Sequence, residues 1–158
     1  MKSIRNLGII LGGLVFCALI MATLQASDSQ ISVHQMEIRA TVGGMRATGG
    51  YARIENTGNT EVTLVGVTAA FAEKAEIHTM ISVDGVMKMR RLEAGLPVPA
   101  GGHALMMPGG VHLMFIGLKA AMPPESMHEV TLYFDQGDAV TVIAHVKKPA
   151  DIKVTPNH

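Results

Sequence analysis

The chain has 158 residues and a mass of 16.7 kDa, enough for one ordinary domain and too little for two large ones. Its 13 Lys and Arg balance 13 Asp and Glu, so it lacks the basic footprint of a nucleic-acid binder, and 48% hydrophobic residues give more apolar surface than a disordered chain carries. One cysteine excludes an internal disulfide framework and leaves methionine as the unusual figure, 12 Met against 2 Tyr and 4 Phe.

Residues 1–26 read as an export signal. Lys2 and Arg5 form a short positive start, 7–22 is an uncharged apolar run, and Ala26 offers a small residue for cleavage. A cut after Ala22 fits as well. The apolar run is 16 residues, short of the roughly 20 that span a bilayer, which disfavours a retained anchor. Phe16 stands before Cys17 where a lipidation signal wants a small residue, which disfavours a lipoprotein. Removing 26 of the 158 residues leaves 132 and takes Lys2, Arg5, Met1, Met21 and Cys17 with it. The 13 basic groups become 11 against 13 acidic ones, a formal charge of −2, and the mature chain has no thiol. In an oxidising compartment a soft-metal site built without thiolate would use Met and His.

No window shows a sustained helical period. Alternating runs predict strands over 33–40, 51–56, 61–69, 75–82, 86–92, 103–107, 112–118, 129–134 and 139–146. Gly43-Gly44, Asn56-Thr57-Gly58-Asn59, Asp84-Gly85, Gly101-Gly102, Pro108-Gly109-Gly110, Pro123-Pro124 and Gly137-Asp138 punctuate them. Many short strands with regular turns point to one all-β domain over 27–146, a β-sandwich or Greek-key barrel. A single helical turn is expected at 71–74, and a loose polar tail over 147–158.

Histidine and methionine concentrate at His78, Met80, Met87 and Met89, and again at Met106, Met107, His112 and Met114. Asp84-Gly85 predicts a two-residue hairpin turn. That turn pairs Val83 with Val86, Ser82 with Met87, Met80 with Met89 and His78 with Arg91. Side chains two apart on a strand share a face, so His78, Met80, Ser82, Met87, Met89 and Arg91 share one. His112 and Met114 point together on the strand over 112–118. If that strand end lies beside the hairpin, two imidazoles and two or more thioethers converge. Such donors suit Cu(I). A structural zinc site would use Cys, His or carboxylate, and a blue-copper centre would use a Cys thiolate. Taken singly, a Met in a β-domain is most often core packing and a lone His most often surface or hydrogen-bonded structure; two same-face His-x-Met pairs beside Gly-rich turns are harder to explain that way.

The chain resembles the periplasmic copper chaperones called PCu(A)C. The resemblance rests on Glu76-Ile77-His78, on 84–90, on Gly95-Leu96 with Pro99-Ala100-Gly101, on 108–114 and Gly117-Leu118-Lys119, and upstream on 50–58. It spans roughly residues 33–146. The family motif, a His, ten residues, a Met, 21 or 22 residues and His-x-Met, is matched by His78, Met89, His112 and Met114. The resemblance implies a cupredoxin-like barrel that binds one Cu(I) through those four residues. It implies delivery of the ion to the CuA centre of a cytochrome c oxidase, or to thiol-containing copper assembly factors, in the periplasm. Met80, opposite Met89, is an accessory candidate. Some relatives add a second copper site on a His- and Met-rich tail. This tail has His158 and no Met after Met127, so none is expected. His34, His103, His128 and His145 match no motif position. Met87, Met106 and Met107 read as flanking or packing residues.

No nucleophile-base arrangement and no phosphate-binding glycine loop stands out, so an enzyme is not expected. The expected protein is a monomer that meets the membrane through its leader or a membrane-bound client. Two readings compete with delivery: periplasmic copper buffering or resistance without an oxidase client, and a metal-free β-sandwich interaction module.

Overall fold

The computed structural model describes residues 30–154; the expected export signal over 1–26 lies outside the described residues, as do 155–158. The first strands are β1 (Ile31–Arg39), β2 (Ala47–Asn56), β3 (Val62–Thr68), β4 (Ala72–Val83) and β5 (Val86–Arg91). They are followed by β6 (Leu96–Val98), β7 (Gly102–Met106), β8 (His112–Leu118), β9 (Met127–Phe134) and β10 (Val140–Lys147), then a 3-10 turn at Pro149–Asp151. Among the described residues no helix is long and apolar enough to cross a membrane.

The strands run in the order β5-β4-β8-β2-β1-β10-β9-β3-β6, with β7 also on β2. Alternation explains how this ribbon forms a core. Apart from the exposed edge strand β5, the strands carry an apolar face, and the two arms turn those faces toward each other. Ile54, Ile77, Leu113 and Phe115 come from one arm, and Leu64, Val98, Val130, Leu132 and Ala144 from the other. All belong to one buried cluster. β1 joins the arms, antiparallel to β2 and parallel to β10. A bulge between His34 and Glu37, with Gln35 at φ 52°, bends β1 just before it meets β10. The all-β expectation therefore holds. The edge strands β5 and β6 stand at opposite ends of the hydrogen-bonded path, so the sheet folds over without closing into a barrel.

The structure departs from the sequence reading in four places. The helical turn expected at 71–74 is the start of β4, where Ala72 pairs with Leu118 and Lys119 donates its backbone N–H to the Phe71 carbonyl at 3.0 Å. Cross-strand pairing there overrides a weak local helical preference. β2 begins at Ala47 rather than Tyr51 because its two glycines face rings. A Cβ on Gly49 would sit 2.7 Å from the Tyr51 hydroxyl, and one on Gly50 would sit 2.6 Å from the Phe115 ring. β6 has three residues, too few to alternate, and carries Pro97 at the sheet edge. The tail expected to be loose from 147 is docked as far as Val154, which is 7% exposed, and Lys153 donates its N–H to Glu37 at 2.9 Å.

The β4–β5 turn has Asp84 at φ 53° and Gly85 at φ 78°, the two positive values a type I′ hairpin requires. A Cβ on Gly85 would meet nothing within 4 Å, so its substitution cost is purely backbone. Gly85→Ala should lower stability by about 1–2 kcal/mol in urea denaturation. An unchanged midpoint would mean that the turn is not held in this conformation.

Candidate metal centre

The hairpin register is the one that the turn chemistry predicts: Val83 faces Val86, Ser82 faces Met87, Met80 faces Met89 and His78 faces Arg91. The open question in the sequence was where the His112 strand lies. β8 pairs directly with β4, with His78 opposite His112 and Glu76 opposite Met114. Residues directly opposite in an antiparallel pair share a face. Three adjacent strands thus bring His78 and Met80, Met89, and His112 and Met114 to one face. Their odd-numbered neighbours Ile77, Leu113 and Phe115 fill the core behind.

The two imidazole rings are 6.1 Å apart between centroids and tilted by 58°. Metal–imidazole bonds of about 2.0–2.1 Å would place the centroids of two rings on one ion roughly 5–6.5 Å apart, so the spacing fits a shared ion. His112 is 5% exposed, and its Nδ1 bonds the Gly110 carbonyl at 3.0 Å. His78 Nε2 lies 2.9 Å from Glu76 Oε2, while its Nδ1 is buried with no hydrogen-bond partner. An unpartnered buried nitrogen is costly unless something else satisfies it. Met80 and Met114 are half-buried, and Met89 is 40% exposed. His112 is therefore the deepest of these side chains and Met89 the most exposed, with His78, Met80 and Met114 between them. Thioether and neutral imidazole together favour a soft ion such as Cu(I). Among the described residues no group of three or more His, Cys, Asp or Glu gathers as a metal site.

Two neighbours of the candidate residues were not legible as site residues. Glu76 precedes His78 by two on the same face. Its hydrogen bond with His78 holds the carboxyl below its ordinary range, and the Arg91 charge, 3.9 Å away, acts the same way. Tyr51 packs beside His112 with ring centroids 6.5 Å apart and is 6% exposed. Burial raises its phenol above the usual value, and Arg39 pulls it down. The signal for Tyr51 was the glycine two residues before it, since only a residue without Cβ lets the ring lie back over β2.

The other histidines lie elsewhere. His34 meets Ser32 and Glu55, and His128 packs its ring on Phe71. Met106 is fully buried, and Met107 is half-buried beside the Pro-Gly-Gly turn, in keeping with packing roles. Met87 shares the candidate face but is 55% exposed.

Comparison with known proteins bears on the fold and the family. The family model described as "Putative lipoprotein LpqE-like" matches residues 31–146. A protein of Leifsonia xyli subsp. xyli named "Putative lipoprotein Lxx21020" is 32% identical over 142 residues, covering 87% of this chain and 84% of its own. A structure described as the copper-bound PCuAC domain from PmoF2 superposes with a TM-score of 0.64 at 23% identity, over 76% of this chain and 94% of that one. The solution structure of CuI-DR1885 from Deinococcus radiodurans gives 0.60 at 25% identity, over 80% and 86%. The neighbours bear out the likeness to PCuAC domains and the cupredoxin-like architecture.

Gly49→Ala would push the Tyr51 ring off β2. The expected cost is about 1–3 kcal/mol of overpacking in urea denaturation. A neutral result would mean that the ring does not rest on Gly49.

Proposed function

The chain belongs to the LpqE-like family, and from that premise we propose that it is an exported, non-catalytic copper chaperone that carries one Cu(I) on His78, Met89, His112 and Met114. Met80 is the accessory sulfur. The observation that carries this reading is the β5-β4-β8 register, which puts four motif residues from three strands on one face. The unpartnered Nδ1 of His78 and the ring spacing add to it. The copper-bound PmoF2 domain supports copper for this chain, and CuI-DR1885 supports the Cu(I) state.

The geometry suits handing over rather than keeping. Neutral thioethers bind Cu(I) without the charge of a thiolate, so a partner's thiolates are stronger competitors. The partner meets the exposed Met89 first. It displaces Met89, then Met114, while the imidazoles, with His112 the most deeply buried, hold the ion until new bonds have formed. The ion keeps its oxidation state throughout. The recipients proposed are the CuA centre of cytochrome c oxidase and thiol-containing copper assembly factors, both reached from the periplasm. Export rests on the leader over 1–26. The lipoprotein wording of the family model and of the Leifsonia relative agrees with export.

Met89→Leu combined with Met114→Leu keeps the apolar bulk and removes the sulfurs. It should weaken Cu(I) binding by roughly a hundredfold, about 2.7 kcal/mol, in competition with a chromogenic chelator. Unchanged affinity would remove these sulfurs from the site. Mixing the copper-loaded protein with an apo CuA domain should develop the acceptor's own spectrum. No transfer would instead favour a buffering protein.

A further inference from the structure

Building on the copper site proposed above, we propose that Glu76, anchored by Arg91, is a positioning residue that makes His78 bind through Nδ1 while His112 binds through Nε2.

A neutral imidazole has one N–H and one lone pair, and the partner of one nitrogen decides what the other can do. Ionised Glu76 can only accept, so His78 Nε2, 2.9 Å from Oε2, carries the proton. The lone pair then falls on Nδ1, the atom that is buried without a partner. At His112 the roles are reversed. The Gly110 carbonyl also can only accept, so Nδ1 carries the proton at 3.0 Å and Nε2 is left with the lone pair. Two histidines opposite each other in the ladder are thus held as opposite tautomers, with rings 6.1 Å apart.

Glu76 is itself fixed. Its second oxygen, Oε1, lies 3.9 Å from Arg91 Nη1, and Arg91 faces His78 across the hairpin. Both carboxylate oxygens are therefore engaged, one by the histidine and one by the cation. A carboxylate behind a metal-binding imidazole orients the ring and raises its basicity. An oxygen ligand role for Glu76 fits less well, because carboxylate oxygen is hard and Cu(I) is soft.

The test is long-range proton–nitrogen NMR on the 15N-labelled chain at about pH 8, well above the usual imidazole pKa of about 6.5. Without copper, His78 should be the Nε2–H tautomer and His112 the Nδ1–H tautomer. One equivalent of Cu(I) should shift His78 Nδ1 and His112 Nε2. An Nδ1–H tautomer at His78, or a copper shift at its Nε2, would overturn the assignment and leave the copper site standing. A shift at neither ring would overturn the site and the assignment together. Glu76→Ala should mix the His78 tautomers and weaken Cu(I) binding by about 10–100-fold. Glu76→Gln, whose amide oxygen still accepts, should restore the single tautomer and recover most of that affinity. A single Nε2–H tautomer retained in the alanine variant would rule out the positioning role.

Discussion

The register of β4 against its two neighbours is the constraint on which the site depends. A pleated strand shows alternate side chains to opposite faces, and β4 uses both. Ile77 belongs to the core, whereas Glu76, His78 and Met80 belong to the other face. A slip of one residue would turn Ile77 out of the core and bury Glu76 and His78 in it. Exposing a buried side chain such as Ile77 costs about 1.5–3 kcal/mol, and burying unpaired polar groups adds more. Core packing behind the sheet thus fixes which side chains meet in front of it. The I′ turn at Asp84-Gly85 fixes the other half, because it sets Met89 against Met80.

Depth then separates the roles of the donors. His112 is enclosed beside Tyr51 and held by the Gly110 carbonyl, and His78 is held by Glu76. These are rigid attachments on strands. Met89 stands on the edge strand β5 and is open to solvent. Anchored nitrogens with an accessible sulfur are what the proposed stepwise release to a partner needs, and a fully enclosed cage would resist it. Transfer without redox change then needs a competing ligand set and no catalytic group.

Much of this could be read from sequence because strand patterns and hairpin turns are local. Asp84-Gly85 set the β4–β5 register correctly, and 112–118 matched β8 residue for residue. The pairing of β8 with β4 joins segments more than thirty residues apart, so no local pattern could supply it. Glu76 belonged to the stretch that carried the resemblance but had no role assigned, because only the folded ladder puts it against His78 and beside Arg91. Gly49-Gly50 hid the start of β2, since glycine reads as a break until the rings that need the space are in place. The short β6 carries no period at all, and Ala72 joined β4 through pairing with Leu118 rather than through its own preference.

Copper K-edge X-ray absorption on the chain loaded with one Cu(I) tests the central claim most directly. The account predicts a mixed first shell with both imidazole nitrogen and thioether sulfur, and loss of the sulfur contribution when Met89 and Met114 are both replaced by leucine. A shell of nitrogen and oxygen alone, or a sulfur contribution that survives the double replacement, would contradict it.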